Sequence, residues 1–165
     1  GRLITAEPAE LNAHDQGNLP RLITTCRDEG SVFAAIQIMR GDRVSEDIHR
    51  VIKDDEIRQL ALDVYQQAGP SEYDHLNRML TDGLFVCPLR RMQLRQPPST
   101  WYLLIDRQLP LVSAVSKLAS GFDIGVFHGI DIHLLFRAFP WVTLPHNDYA
   151  LRLQDLIGGF CRESK

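Results

Sequence analysis

Two stretches of the chain set a titratable side chain beside glycine, where the backbone can turn sharply. The first, Cys26-Arg27-Asp28-Glu29-Gly30, directly follows a short apolar run. The second, Gly125-Val126-Phe127-His128-Gly129-Ile130-Asp131, leads into Leu134-Leu135-Phe136. Both read as turns beyond the carboxyl ends of strands, where open parallel sheets carry their active sites. A carboxylate and an imidazole drawn from distant turns suit a catalytic triad. The carboxylate accepts a bond from one ring nitrogen, fixes the tautomer and stabilises the imidazolium formed when the ring takes a nucleophile's proton. Glu29 and His128 are the candidates for these two roles, and Asp28 reads as a neighbour that is solvated or bonded to a turn amide.

Other chemistry is poorly served. His128, Asp131 and His133 spell H-x-x-D-x-H, but on a helix positions i and i+5 diverge by about 140°, so no metal site is expected. His14, His49, His75 and His146 read as ordinary surface residues. Cys26, Cys87 and Cys161 are far apart and form no C-x-x-C pair. That disfavours a zinc knuckle or a dithiol redox site, and their plain reading is three small buried side chains. Eighteen basic and 21 acidic residues leave a net charge of −3, with no basic run interleaved with aromatics. Nucleic acid is therefore not an expected partner. No apolar stretch approaches the length of a membrane span, and no charged segment followed by an apolar run suggests a signal peptide in this stretch.

The elements that must position Glu29 and His128 follow from pattern. The 165 residues, 44% apolar and 24% charged, suit one globular domain. Leu19 to Cys26 and Trp101 to Ile105 are short, apolar and β-branched or aromatic, and read as buried strands. Ser31 to Ala35 starts a helix, and Ser45 can cap another from Glu46. Asp54, Asp55 and Glu56 open a helix whose apolar stripe is Ile57, Leu60, Ala61 and Val64, ended by Gly69-Pro70. A second stripe, Tyr73, Leu76, Leu80, Leu84 and Cys87, is closed by Pro88. Residues 107–123 read as a loop, with a turn of helix within Val112 to Leu118. Asn147 or Asp148 can cap a last helix, striped by Tyr149, Leu153, Leu156, Ile157 and Phe160. Gly158 and Gly159 interrupt it as if packed closely on a neighbour. Two or three strands among this many helices cannot form a complete parallel sheet, so part of a larger sheet is expected.

Together the two glycine-flanked motifs resemble type-B carboxylesterases, the family of cholinesterases, liver carboxylesterases and fungal lipases. Asp28-Glu29-Gly30 with Phe33 matches the family's strand-borne Asp-Glu-Gly and aromatic, and His128-Gly129, Asp131 and Phe136 match its His-Gly segment. Between them Asp82, Phe85, Cys87 and Pro88 match a family helix, and Trp101 to Asp106 the strand before the histidine. The opening, Gly1 to Ile4 and Pro8 to Leu11, is also similar, so the likeness spans nearly the whole chain. Arg137 stands where glycine often follows the final Phe, and Ile130 is larger than the usual residue after His-Gly.

The resemblance implies that residues 1–165 are the C-terminal part of a type-B carboxylesterase domain: an α/β-hydrolase fold with few strands, several helices and a sheet incomplete in this chain. The order acid then histidine agrees, with the serine earlier still. None of the serines at 31, 45, 71, 99, 113, 116, 120 and 164 lies in Gly-x-Ser-x-Gly. The nucleophile and the oxyanion hole are accordingly expected upstream or on another chain. The implied function is carboxylic-ester hydrolysis without metal or cofactor, on esters of small to medium size, with Glu29 and His128 as the triad acid and base and the missing N-terminal part as partner. The resemblance favours secretion. A non-catalytic cholinesterase-like binding or adhesion module, or an inactive fragment, is the alternative.

Overall fold

Leu22, Ile23, Thr24 and Thr25 favour extended backbone, and strand β1 spans Arg21–Cys26. It pairs in parallel with β2, Thr100–Ile105, in the register Arg21↔Thr100 to Cys26↔Ile105. The computed structural model describes residues 20–41, 53–94, 99–137 and 147–163. The anticipated helix from Glu46, the opening residues 1–18, and His14, His49 and His146 lie outside these. Helices joined to a parallel strand pair agree with the α/β class.

After β1 the chain turns through Arg27 to Gly30 into α1, Ser31–Met39. Helix α2 covers Asp55–Tyr65, and the Asp54 side chain accepts its Ile57 amide at 3.0 Å. A short 3₁₀ turn, Gln66–Ala68, follows. Ser71 and Asp74 then form a reciprocal capping box on α3, Glu72–Leu80. The anticipated end at Pro88 does not occur. Helix α3 runs through a π-helical segment, Thr81–Val86, into α4, Cys87–Gln93. Pro88 lies in the first turn of α4, where a missing N–H is tolerated.

Beyond β2, the segment expected to be mostly loop is helix α5, Pro110–Ser120. Its sequence carries both helix-end signals, proline in the first turn and Gly121 in the left-handed region at the C-terminus. Its inner face is Val112, Ser113 and Ser116; the Ser116 hydroxyl donates to the Ser113 carbonyl and the Ser113 hydroxyl to the Asp123 carboxylate, which hides their polarity. Helix α6, Ile130–Phe136, begins directly after His128-Gly129. Helix α7 is Asn147–Glu163.

The core has two parts. Cys26, Ile105, Val126, Ile130, Leu134 and Leu153 join both strand ends to α6 and α7. Ala34, Ala35, Tyr73 and Leu76 join α1 to α3, and Phe122 stacks on Tyr73 at 4.7 Å. Several anticipated apolar faces stay open. Ile57, Leu60 and Val64 of α2 are more than half exposed, as is Leu84. On β2, Trp101 and Leu104 are also exposed. In α7, Ala150 and Leu153 are buried while Leu156 is exposed. A Cβ at Gly159 would meet nothing within 4 Å, so the close neighbour expected there is not found among the described residues.

Candidate functional site

Glu29 sits in the turn after β1, 5% exposed, yet its carboxylate is satisfied. Oε1 accepts the Cys26 amide at 2.6 Å and the Thr25 hydroxyl at 3.0 Å. Oε2 lies 2.7 Å from His128 Nδ1. Amide, hydroxyl and imidazole donors thus offset the cost of burying the charge. A carboxylate only accepts, so the proton of this bond belongs to Nδ1, and in the neutral imidazole the lone pair is on Nε2. The His128 side chain is 52% exposed, and among the described residues Nε2 has no hydrogen-bond partner.

The turn is held in place by glycine. Gly30 has an ordinary helical backbone, but a Cβ there would stand 2.7 Å from the Thr81 nitrogen and closer still to the Asn77 carbonyl oxygen. The turn therefore presses directly on the end of α3. Its Gly30 amide donates to Thr81 Oγ1 at 2.8 Å, where the π segment begins. That segment carries Phe85, whose ring centroid is 5.0 Å from that of His128. Phe33, from α1, lies 5.9 Å from the same ring. Single π-helical turns recur at functional sites, and here one sets an aromatic ring beside the imidazole, tilted by 41°.

Thr24 donates its hydroxyl to Asp131 Oδ2 at 2.9 Å, tying α6 to β1. His128 follows no strand: it lies in a turn joined to the Glu29 turn by a single parallel bridge, Asp28↔Phe127. His128 faces Glu29, Asp131 faces Thr24, and the His133 ring lies 6.4 Å from Phe127. The three do not converge, and among the described residues no group of His, Cys, Asp or Glu could hold a metal ion.

Beside the imidazole opens a depression of about 350 Å³, its apolar wall made by Leu84, Phe85, Leu89, Met92 and Ile132. A larger one, about 450 Å³, lies across the turn, but Arg27 pairs there with Asp28 and Arg78 with Asp82. Those pairs leave it less suited to an apolar ligand. Cys26 is the thiol nearest the acid, yet burial, then the Glu29 and Asp131 carboxylates, push it up to about 12. It stays a thiol at neutral pH and is no nucleophile. The other cysteines depart from expectation: Cys87 and Cys161 are exposed, and all three are free. His75, anticipated at the surface, is half-buried with Nε2 2.8 Å from the Gly69 carbonyl.

The structure thus brings Glu29 and His128 together. Sequence reasoning passed over Thr25, whose position four residues before Glu29 at a strand end is the signal for the acid's cradle. It also passed over the Thr24–Asp131 tie, which has no local signal. No protein family, curated protein or solved structure compared with the chain matches it. Among the described residues no helix is long and apolar enough to cross a membrane.

Proposed function

We propose that this chain supplies the acid and base of a serine-type carboxylic-ester hydrolase built on the α/β-hydrolase plan. The observation that carries the proposal is the Glu29 Oε2–His128 Nδ1 bond at 2.7 Å, with the imidazole beside an apolar depression. Resemblance of the two flanking motifs to type-B carboxylesterases supports it, as does the exposed sheet. A parallel pair is ordinarily buried on both faces, whereas Trp101 is 50% and Leu104 55% exposed. Further strands and a nucleophile from outside this chain would complete such a sheet.

In the mechanism, a serine hydroxyl supplied from outside these residues attacks the ester carbonyl while His128 Nε2 takes its proton. Glu29 holds the imidazolium by its Nδ1–H. Collapse of the tetrahedral intermediate passes the proton from Nε2 to the leaving alcohol. Water then enters by the same path and releases the acid. The apolar wall from Leu84 to Met92 suits a small to medium apolar group.

A binding module without catalysis is the second reading. It is favoured by the lack, among the described residues, of any hydroxyl bonded to Nε2. One experiment separates the two. In the assembled protein, a fluorophosphonate should label a serine outside residues 1–165. His128→Ala or Glu29→Gln should lower turnover of a p-nitrophenyl ester by roughly three to four orders of magnitude. No labelled serine, or wild-type turnover in either variant, rejects the hydrolase. Turnover by this chain alone, proportional to its concentration, would place the nucleophile within it.

A further inference from the structure

The turn that carries Glu29 holds a second carboxylate, and it grips the backbone of the histidine loop. Asp28 Oδ2 accepts the Val126 amide at 2.9 Å, and the Asp28 amide donates to the Val126 carbonyl at 3.0 Å. One residue thus makes both bonds to a position two places before His128. A turn aspartate ordinarily accepts from amides just ahead of it. Here the Ser31 amide is met by the Asp28 carbonyl instead, and the side chain reaches 98 residues along the chain.

Both sides of this contact are prepared. Arg27 fixes the carboxylate, with Nε 3.0 Å from Oδ2, and its Nη1 reaches Asp106 Oδ1 at 2.9 Å beyond the end of β2. Opposite, Gly125 has φ +56, and a Cβ there would run into Asp28 Oδ2 and lie 2.9 Å from its Cγ. The preceding part of the loop is held separately, by Asp123 Oδ1 accepting the Gly125 amide at 3.0 Å.

We propose that Asp28 is a positioning residue for His128. Set by Arg27 and seated over Gly125, it latches Val126 and so fixes where the imidazole meets Glu29. The need is physical. The ring is half exposed and has one hydrogen bond, so side-chain packing alone does not define its place. A misplacement of about 1 Å costs on the order of a hundredfold in rate, and the backbone must therefore be held. The inference rests on reading Glu29 and His128 as an acid–base pair.

The test is nitrogen-edited proton NMR of the imidazole in the full chain, which reads the Nδ1–H directly and needs no turnover. Wild type should show a protected, downfield Nδ1–H. Asp28→Ala should speed its exchange with solvent by about tenfold or more. Asp28→Asn keeps an acceptor for the Val126 amide and should restore protection. Gly125→Ala, which displaces the carboxylate without removing it, should behave like Asp28→Ala and serves if that variant does not fold. An unchanged signal in Asp28→Ala or Gly125→Ala, or no restoration in Asp28→Asn, overturns the latch but leaves the Glu29–His128 pair standing. No protected proton in wild type overturns both. The expected pattern without ester turnover in the assembled protein would reject the hydrolase and keep the latch.

Discussion

Gly30→Ala isolates the packing on which Glu29 depends. The native backbone at Gly30 is φ −77, ψ −12, which alanine adopts freely. By conformation alone the change should stabilise the fold by about 0.4–1 kcal/mol. The added methyl reverses the sign. It would stand 2.7 Å from the Thr81 nitrogen and 2.8 Å from Leu80 Cβ, whereas ordinary contact begins at 3.4 Å. These are backbone and near-backbone atoms that cannot rotate away. The turn must withdraw from α3 by at least roughly 0.7 Å to clear the Thr81 nitrogen, and by more to clear the Asn77 carbonyl oxygen, stretching the 2.8 Å bond from the Gly30 amide to Thr81 to about 3.5 Å or beyond, where little of it survives. Overpacking at about 1–3 kcal/mol and one lost bond at about 1 kcal/mol outweigh the entropic gain. A net loss of about 1–3.6 kcal/mol follows, roughly 2–14 °C in Tm for a chain of this size. Urea denaturation and calorimetry of wild type and Gly30→Ala measure it. A loss below about 0.5 kcal/mol, within the range of an ordinary surface change, would refute the close approach of the turn to α3.

Two more predictions concern titration and access. At pH 8 iodoacetamide should modify Cys87 and Cys161 in the native protein and reach Cys26 only in denaturant, as peptide mass mapping will show. A native adduct at Cys26 would contradict its burial and its thiol near 12. Asp123 is raised by burial but lowered more by the Ser113 hydroxyl, the Gly125 amide and Lys117, and the net direction is down. A depressed folded value gives stability that is present above the unfolded value of about 3.9 and fades as pH falls through the folded one. Wild type should therefore exceed Asp123→Asn in unfolding free energy at pH 7, and the difference should shrink only below about pH 4. A difference independent of pH would refute the assignment.

What the sequence disclosed was mostly local. Strands β1 and β2 were legible because short β-branched and aromatic runs have few alternatives, and α2 because Asp54 announces its start. The meeting of Glu29 and His128 was legible only through the two motifs, since the 98 intervening residues carry no signal of contact. Pro88 misled because a proline reads as a stop, while the wide π turn before it lets the helix restart around the ring. Helix α5 was missed although Pro110 and Gly121 mark its ends, because its face of Val112, Ser113 and Ser116 hides serine hydroxyls that look like loop chemistry. The α2 stripe was read correctly as a helix, but periodicity cannot say what covers a face, and Ile57, Leu60 and Val64 face outward. The Asp28 latch lay beyond inference because its acceptor and donor are 98 residues apart.

The two halves of the Glu29–His128 pair differ in how far the chain must travel to build them. Thr25, Cys26 and Glu29 complete the acid's cradle within a single stretch of five residues, so closing it costs little chain entropy. The imidazole arrives only after a loop of about a hundred residues has closed through the parallel register of β1 with β2. During folding the cradle can therefore stand waiting before its occupant is in place. In the native protein, brief local openings will release the histidine side first, and the acid's nest will outlast them.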